Sequence, residues 1–323
     1  MTGDTATGAA RPAVLAFGCG SLGTELGWRD SVRLVEAALQ AGFRHFDTAP
    51  PYGAGQSERI LGEVLASCRG QITLVSKAGI AHPRAAGALR ALRKLALPVK
   101  RALPGLWSRA ANQARESASP AARFAVADVQ RSLDESLRRL RTDHLDALLL
   151  HEVFEDALTP ELGALLDGWL ADGRVRALGT GTGVAQSLTC HARWSPRLRW
   201  VQCDHYWGAF TPALRQGSPR LSTHRALRLG LALVRAPEFA AALTQHGADS
   251  LRRRLANDSE RGRVLLAAAL QQVGEGGTVV VSTLRRERLR DLQDLPAVDD
   301  DVRLLNRLFS EALAVPGTHA TAS

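Results

Sequence analysis

The chain has 323 residues, 45% of them hydrophobic, enough for one large domain or two ordinary ones with a substantial core. It carries 41 basic and 32 acidic side chains, for a formal charge of +9, and no apolar run reaches the roughly 18 residues that a bilayer-spanning helix needs. Cys19, Cys68, Cys190 and Cys203 lack paired spacing, and the histidines form no HxH or HExxH, so free thiols in a reducing compartment and no metal site are expected. Met1–Arg11 has no apolar signal core, and loose ends on a soluble cytoplasmic protein are expected.

The first apolar run, Ala13–Cys19, reads as a strand and leads into Gly18-Cys19-Gly20-Ser21-Leu22-Gly23, a match to GxGxxG. Leu34, Val35, Ala38 and Leu39 then give a helical stripe. Phe43–Asp47 is the second strand and runs into Thr48-Ala49-Pro50-Pro51-Tyr52-Gly53; Glu58–Leu65 is helical, and Ile72–Lys77 is the third strand. Residues 82–120 form a basic insertion, with eight basic and no acidic side chains between 81 and 115. Val126, Val129, Leu133, Leu137 and Leu140 recur at helical spacing, followed by a strand at Leu145–His151. Thr159-Pro160-Glu161 starts a helix with a cap residue and a first-turn proline. Further strands are expected at Val175–Gly179, Trp200–Asp204, Leu231–Arg235 and Thr278–Ser282, with helices at Val264–Val273 and Leu304–Leu313.

Most of these strands are continuously apolar, as strands buried on both faces are. Eight of them alternating with helices point to a single (β/α)8 TIM barrel of residues 1–323, with the insertion beside the mouth where active sites form. The alternative is a doubly wound sheet, in which GxGxxG and the strand-end acid Asp47 would bind a dinucleotide. Against it, Asp47 runs straight into a Pro-Pro turn, and eight strands suit closure.

On the barrel, Asp47, Lys77 and His151 end strands at one face, with Tyr52 in the loop above. Lys77 is one of three lysines, and Tyr52 is one of two tyrosines. A lone cation ending a buried strand is costly without a carboxylate partner, and Asp47 supplies one. A phenol of pKa about 10 donates poorly at neutral pH, and a nearby ammonium stabilises its phenolate form. The group suits protonation of an oxygen as hydride reaches carbon. The bland reading of each residue is a salt bridge, a packed phenol and a satisfied core histidine; their convergence favours chemistry. His45, His144 and His205 are read as structural.

Here the sequence resembles the aldo-keto reductase family. The stretch from Gly42 through Phe46-Asp47-Thr48-Ala49-Pro50-Pro51-Tyr52-Gly53, with Gly55, Ser57 and Glu58, carries the likeness, followed in order by Val75-Ser76-Lys77, Leu148-Leu149-Leu150-His151, Val201-Gln202 and Val279–Ser282. The resemblance implies a (β/α)8 barrel, a catalytic tetrad at Asp47, Tyr52, Lys77 and His151, and NADPH-dependent carbonyl reduction or its reverse. It implies nicotinamide contacts at Gly20, Ser21, Leu22, Asp47, Thr182 and Gln202. Adenosine-phosphate contacts fall on Ser282, Thr283, Arg288 and Asp291, and Arg288 favours NADPH over NADH. Trp107, Tyr206 and Trp207 are the aromatic candidates for the substrate pocket. The chain departs from the family's pattern at Gly181-Thr182 (usually Ser-Asn), Ala236, Ser282 (a lysine) and Leu292 (an asparagine).

The expected partner is a small carbonyl or alcohol substrate. Without a zinc finger, an aromatic RNA-binding motif or a helix-turn-helix, and with arginine spread over the whole chain, no nucleic acid is expected. Two other readings follow from particular features. The departures at the cofactor positions suit a barrel repurposed for nicotinamide-independent lyase or isomerase chemistry, and the basic insertion suits a non-enzymatic binding subunit.

Overall fold

The computed structural model describes residues 12–80, 124–208 and 220–314. Its centre is a closed barrel of eight parallel strands in sequential order. They are β1 (Val14–Gly18), β2 (His45–Asp47), β3 (Thr73–Ala78), β4 (Ala147–His151), β5 (Leu178–Gly181), β6 (Leu198–Asp204), β7 (Arg220–His224) and β8 (Thr278–Val281). The ring closes where β1 pairs with β8, Val14 opposite Thr278 and Phe17 opposite Val281.

Alternation along each strand divides the core in two. Val75, Ala147, Leu149 and Trp200 fill the barrel interior, with Ala177 packed against them. Gly179 makes room for the indole strand, because a Cβ there would lie 2.1 Å from the Trp200 carbonyl oxygen. The opposite strand faces and the helices share a far larger apolar layer, from Phe17 and Phe46 to Leu150 and Val279. Each fully buried Leu, Val or Phe there contributes roughly 1.5–3 kcal/mol of transfer free energy.

The helices are α1 (Trp28–Gln40), α2 (Gln56–Leu65), α3 (Val126–Leu140), α4 (Pro160–Ala171), α5 (Val184–Trp194), α6 (Ala226–Val234), α7 (Pro237–Gln245), α8 (Asp249–Ala256), α9 (Asp258–Val273), α10 (Arg288–Gln293) and α11 (Asp300–Ala314). Helix α3 buries Val129, Leu133 and Leu140, the expected stripe. The Thr159 hydroxyl caps α4 by accepting from the Leu162 N–H, and Asn257 caps α9 in the same manner. Gly62 lets α2 lie directly on α3: a Cβ there would fall 2.3 Å from the Arg139 carbonyl oxygen.

Strand β5 begins three residues later than the expected Val175–Gly179, and one expected strand is helical. Leu231–Arg235 does not form the seventh strand; Leu231 to Val234 are the end of α6, and Ala236 is the N-cap of α7. Strand β7 is Arg220-Leu221-Ser222-Thr223-His224. A short apolar run has no periodicity to separate a buried strand from a buried helix segment. The true strand carries polar groups on its inward face, where the Ser222 hydroxyl accepts from Trp200 Nε1 at 2.8 Å. The basic insertion at 82–120 lies outside the described residues.

Candidate active site at the barrel mouth

Asp47 and Lys77 end adjacent strands with Asp47 opposite Val75, so their side chains share the inward face at the C-terminal rim. The Lys77 ammonium donates to Asp47 Oδ1 at 2.7 Å and to the Thr48 carbonyl at 3.0 Å. Lys77 is only 3% exposed, so it faces the site and not bulk solvent. Burial is the largest single influence and opposes its charge, but the Asp47 carboxylate, Tyr52 and the hydrogen bond to Asp47 together outweigh it; the Lys77 pKa is raised above 10.5.

Tyr52 follows in a tight loop, its ring centroid 5.5 Å from the Lys77 nitrogen. The loop is set by Gly53, Ala54 and Gly55, all with positive φ. At Gly53 a Cβ would sit 2.8 Å from the Leu22 carbonyl oxygen, so glycine is required on both counts. Ser57 pins the loop from behind: its hydroxyl donates to the Cys19 carbonyl at 3.0 Å and lies 2.9 Å from the Thr48 hydroxyl. Glu58, fully buried, accepts from Ser76 at 3.0 Å and from Arg139 at 3.2 Å. These contacts fix the ends of β1, β2 and β3 relative to one another.

His151 ends β4 opposite Gly181, two residues beyond the inward-facing Leu149, and is half-buried. Gln202 on β6, opposite Gly181, reaches across the barrel and donates through Nε2 to Asp47 Oδ2 at 2.7 Å. Thr182 is buried beside it, its carbonyl accepting from Ser187 at 3.4 Å. The structure thus gathers Asp47, Tyr52, Lys77, His151, Thr182 and Gln202 at one rim.

The turn after β1 borders the same rim, since a Cβ on Gly20 would lie 4.0 Å from the Tyr52 ring. Ser21 donates to Glu25 at 3.5 Å. The Leu22 side chain is buried in the core, leaving only its backbone to face a ligand. After β8, Ser282 donates to the Gly18 carbonyl at 3.0 Å, and the Thr283 hydroxyl accepts from the Arg285 N–H at 3.1 Å. Arg288 and Asp291 are exposed on α10, and Leu292 packs on the core.

The aromatic candidates fare differently. Trp207 does not line the mouth. It is 1% exposed and packs on His205 and Phe309, with ring centroids 4.4 and 4.9 Å away, in the layer between barrel and helices. Tyr206 is half-buried over Gly208. Trp107 lies outside the described residues.

Sequence reasoning missed Asp204 and His224. They pair in register at the ends of β6 and β7, Asp204 two residues past Gln202 on the same strand face. His224 Nδ1 lies 2.7 Å from Asp204 Oδ1, and Arg225 donates to Oδ2 at 3.0 Å. The His224 hydrogen bond, with Arg225 behind it, lowers the Asp204 pKa. The available signal was the alternation of polar residues at 220, 222 and 224.

The comparisons with known proteins agree with this geometry. The family model described as the Aldo/keto reductase family matches residues 14–204. D-threo-aldose 1-dehydrogenase from Pseudomonas sp is 31% identical over 57% of this chain and 54% of its own length. A 6-dehydroglucose reductase from Novosphingobium aromaticivorans is 31% identical over 46% of this chain and 40% of its own. The matches thus span about half the length of these curated relatives or less. An aldo-keto reductase from Bacillus halodurans, solved in its holo form, superposes with TM-score 0.66 at 18% identity, over 94% of both chains. One from Klebsiella pneumoniae, solved with NADPH, gives 0.62 at 21% identity, over 93% of this chain and 92% of that one. Together with the closed barrel and the residues gathered at its rim, the family match leads to one assignment: the chain belongs to the aldo/keto reductase family.

Proposed function

We propose that this protein is an NADPH-dependent oxidoreductase that reduces an aldehyde or ketone to an alcohol, or runs the reverse, with Tyr52 as the proton donor. The observation that carries this reading is the buried Lys77 ammonium, held by Asp47 and lying against the Tyr52 ring. The ammonium stabilises the phenolate left when Tyr52 gives up its proton. His151, on the same rim, orients the substrate oxygen towards Tyr52.

The rim fits a nicotinamide cofactor. Gly181 leaves the floor bare beside Lys77, where a Cβ would lie 3.9 Å from the Lys77 side chain. Thr182, Gln202 and the backbone of Gly20, Ser21 and Leu22 would hold the nicotinamide end. Ser282, Thr283, Arg288 and Asp291 would hold the adenosine end. When bound, the cofactor supplies the hydride. The relatives' names support a small carbonyl or alcohol substrate, and four unpaired thiols suit a reducing cytoplasm. The same reading takes the chain as one barrel domain with its basic insertion beside the mouth.

The test is a fluorescence titration with NADPH, followed by a carbonyl panel. Binding in the micromolar range is expected. Tyr52→Phe is expected to bind NADPH as the wild type does and to lose about 10²- to 10⁴-fold in turnover. No binding at high micromolar NADPH sinks the reading, and turnover in the absence of any nicotinamide replaces it with acid–base chemistry alone.

A further inference from the structure

The Asp47 carboxylate is gripped from two sides of the barrel. Lys77 on β3 donates to Oδ1 and Gln202 on β6 donates to Oδ2, both at 2.7 Å. All three side chains are buried. A carboxylate held at one oxygen still turns about its terminal torsion, which is broad and roughly two-fold. The second bond removes that freedom and satisfies an acceptor that water does not reach.

We propose that Gln202 is a positioning residue for the proton-donating centre: by fixing Asp47 it holds the Lys77 ammonium against Tyr52. The inference rests on the reductase reading and deepens it. The Lys77 ammonium divides its donors between Asp47 and the Thr48 carbonyl, so a rotation of Asp47 draws the nitrogen away from the phenol. The other titratable groups facing the pair are Cys19 on the turn after β1, His45 on β2, Tyr52, and His151 on β4. Burial, with Asp47 beside it, pushes the Cys19 thiol far up, and burial brings His45 down to about 3, so both stay neutral around pH 7. The Arg220 charge, on β7, also disfavours a charged His45. Asp47 and Tyr52 together sustain the Lys77 charge against burial.

Two variants separate positioning from cofactor contact. Gln202→Met keeps the length and loses the N–H. Gln202→Glu keeps the shape, and its carboxyl donates to Asp47 only while protonated. Gln202→Met is expected to lower kcat roughly 10- to 100-fold at saturating NADPH, as a small misplacement does, and to move the alkaline limb of kcat to lower pH, over and above any loss of NADPH affinity from its nicotinamide contact. Gln202→Glu is expected to regain activity as pH falls from 8 to 5. A cofactor-free readout accompanies these: the chain has three lysines, so lysine labelled with 13C at Cε resolves Lys77, and its titration midpoint is expected to fall in Gln202→Met. If both variants weaken NADPH binding and leave the kcat profile and the Lys77 midpoint unmoved, Gln202 is a cofactor contact only and the inference is overturned. If the wild type does not bind NADPH but the Lys77 midpoint still moves, the reductase reading fails and the positioning of Lys77 stands. Should Gln202→Met not fold, the low-pH recovery of Gln202→Glu decides.

Discussion

Lys77 is both the costliest and the most informative residue. Desolvating an ammonium and a carboxylate costs several kcal/mol each, and their attraction repays this only when both are present and well hydrogen-bonded. Lys77→Met is therefore expected to destabilise the fold by about 3–5 kcal/mol, measured by chemical denaturation, because Asp47 is left buried without its counter-ion. The double variant Asp47→Asn with Lys77→Met is expected to cost less than the sum of its parts. The pH dependence has a definite sign. The Lys77 pKa is raised above 10.5, so its contribution is complete below that value and is lost as pH rises through the higher, folded-state value. The stability gap between wild type and Lys77→Met narrows only in strong alkali. This pair was legible in the sequence, since a cation closing an apolar strand needs an acid. The Gln202 bond to Asp47 was not, because it joins residues 155 positions apart across a closed barrel.

At the scale of elements, the signature loop works by tying strand ends together. Ser57→Ala removes the hydroxyl that contacts both Cys19 and Thr48, and is expected to cost about 1–3 kcal/mol by leaving buried groups unpaired. Gly62→Ala is expected to cost about 1–3 kcal/mol or more, since the clash is with backbone and α2 must lift off α3. Thermal melts check both. The misread seventh strand belongs here too. Leu231, Leu233 and Val234 resembled a buried strand because hydrophobicity is all that a short run displays, whereas β7 hid its nature behind Arg220, Ser222 and His224. Those polar residues line a barrel interior that already holds Trp200 and its hydrogen bond. The displaced strand also displaced the rim: the residue at the end of β7 is His224, and Ala236 belongs to the helical layer.

At the scale of the whole molecule, two of the described histidines, His45 and His205, are buried and held neutral. Burial lowers both His45 and His205 from 6.5 to about 3. A group with a depressed folded-state pKa contributes stability above its unfolded value and loses it as pH falls. Each is therefore expected to add a slope of about 1.4 kcal/mol per pH unit between pH 6.5 and 3, and acid unfolding follows. His45→Phe keeps a ring against Trp200, whose centroid is 5.8 Å from that of His45, and is expected to flatten the acid side of the stability curve.

Periodicity, strand-end charges and the loop around Tyr52 determined the barrel, the pairing of Asp47 with Lys77 and the rim on which they meet. These are properties of local pattern: buried strands are apolar throughout, helices repeat at three and four residues, and an isolated buried charge demands its opposite. Only the tertiary structure decided which polar residues line the barrel interior, where the Trp207 ring points, and that Gln202 and Lys77 grip one carboxylate from opposite strands. The physical reason is closure. Bringing β1 to β8 sets strands distant in sequence face to face across a narrow interior, and contacts made there leave no periodic trace along the chain.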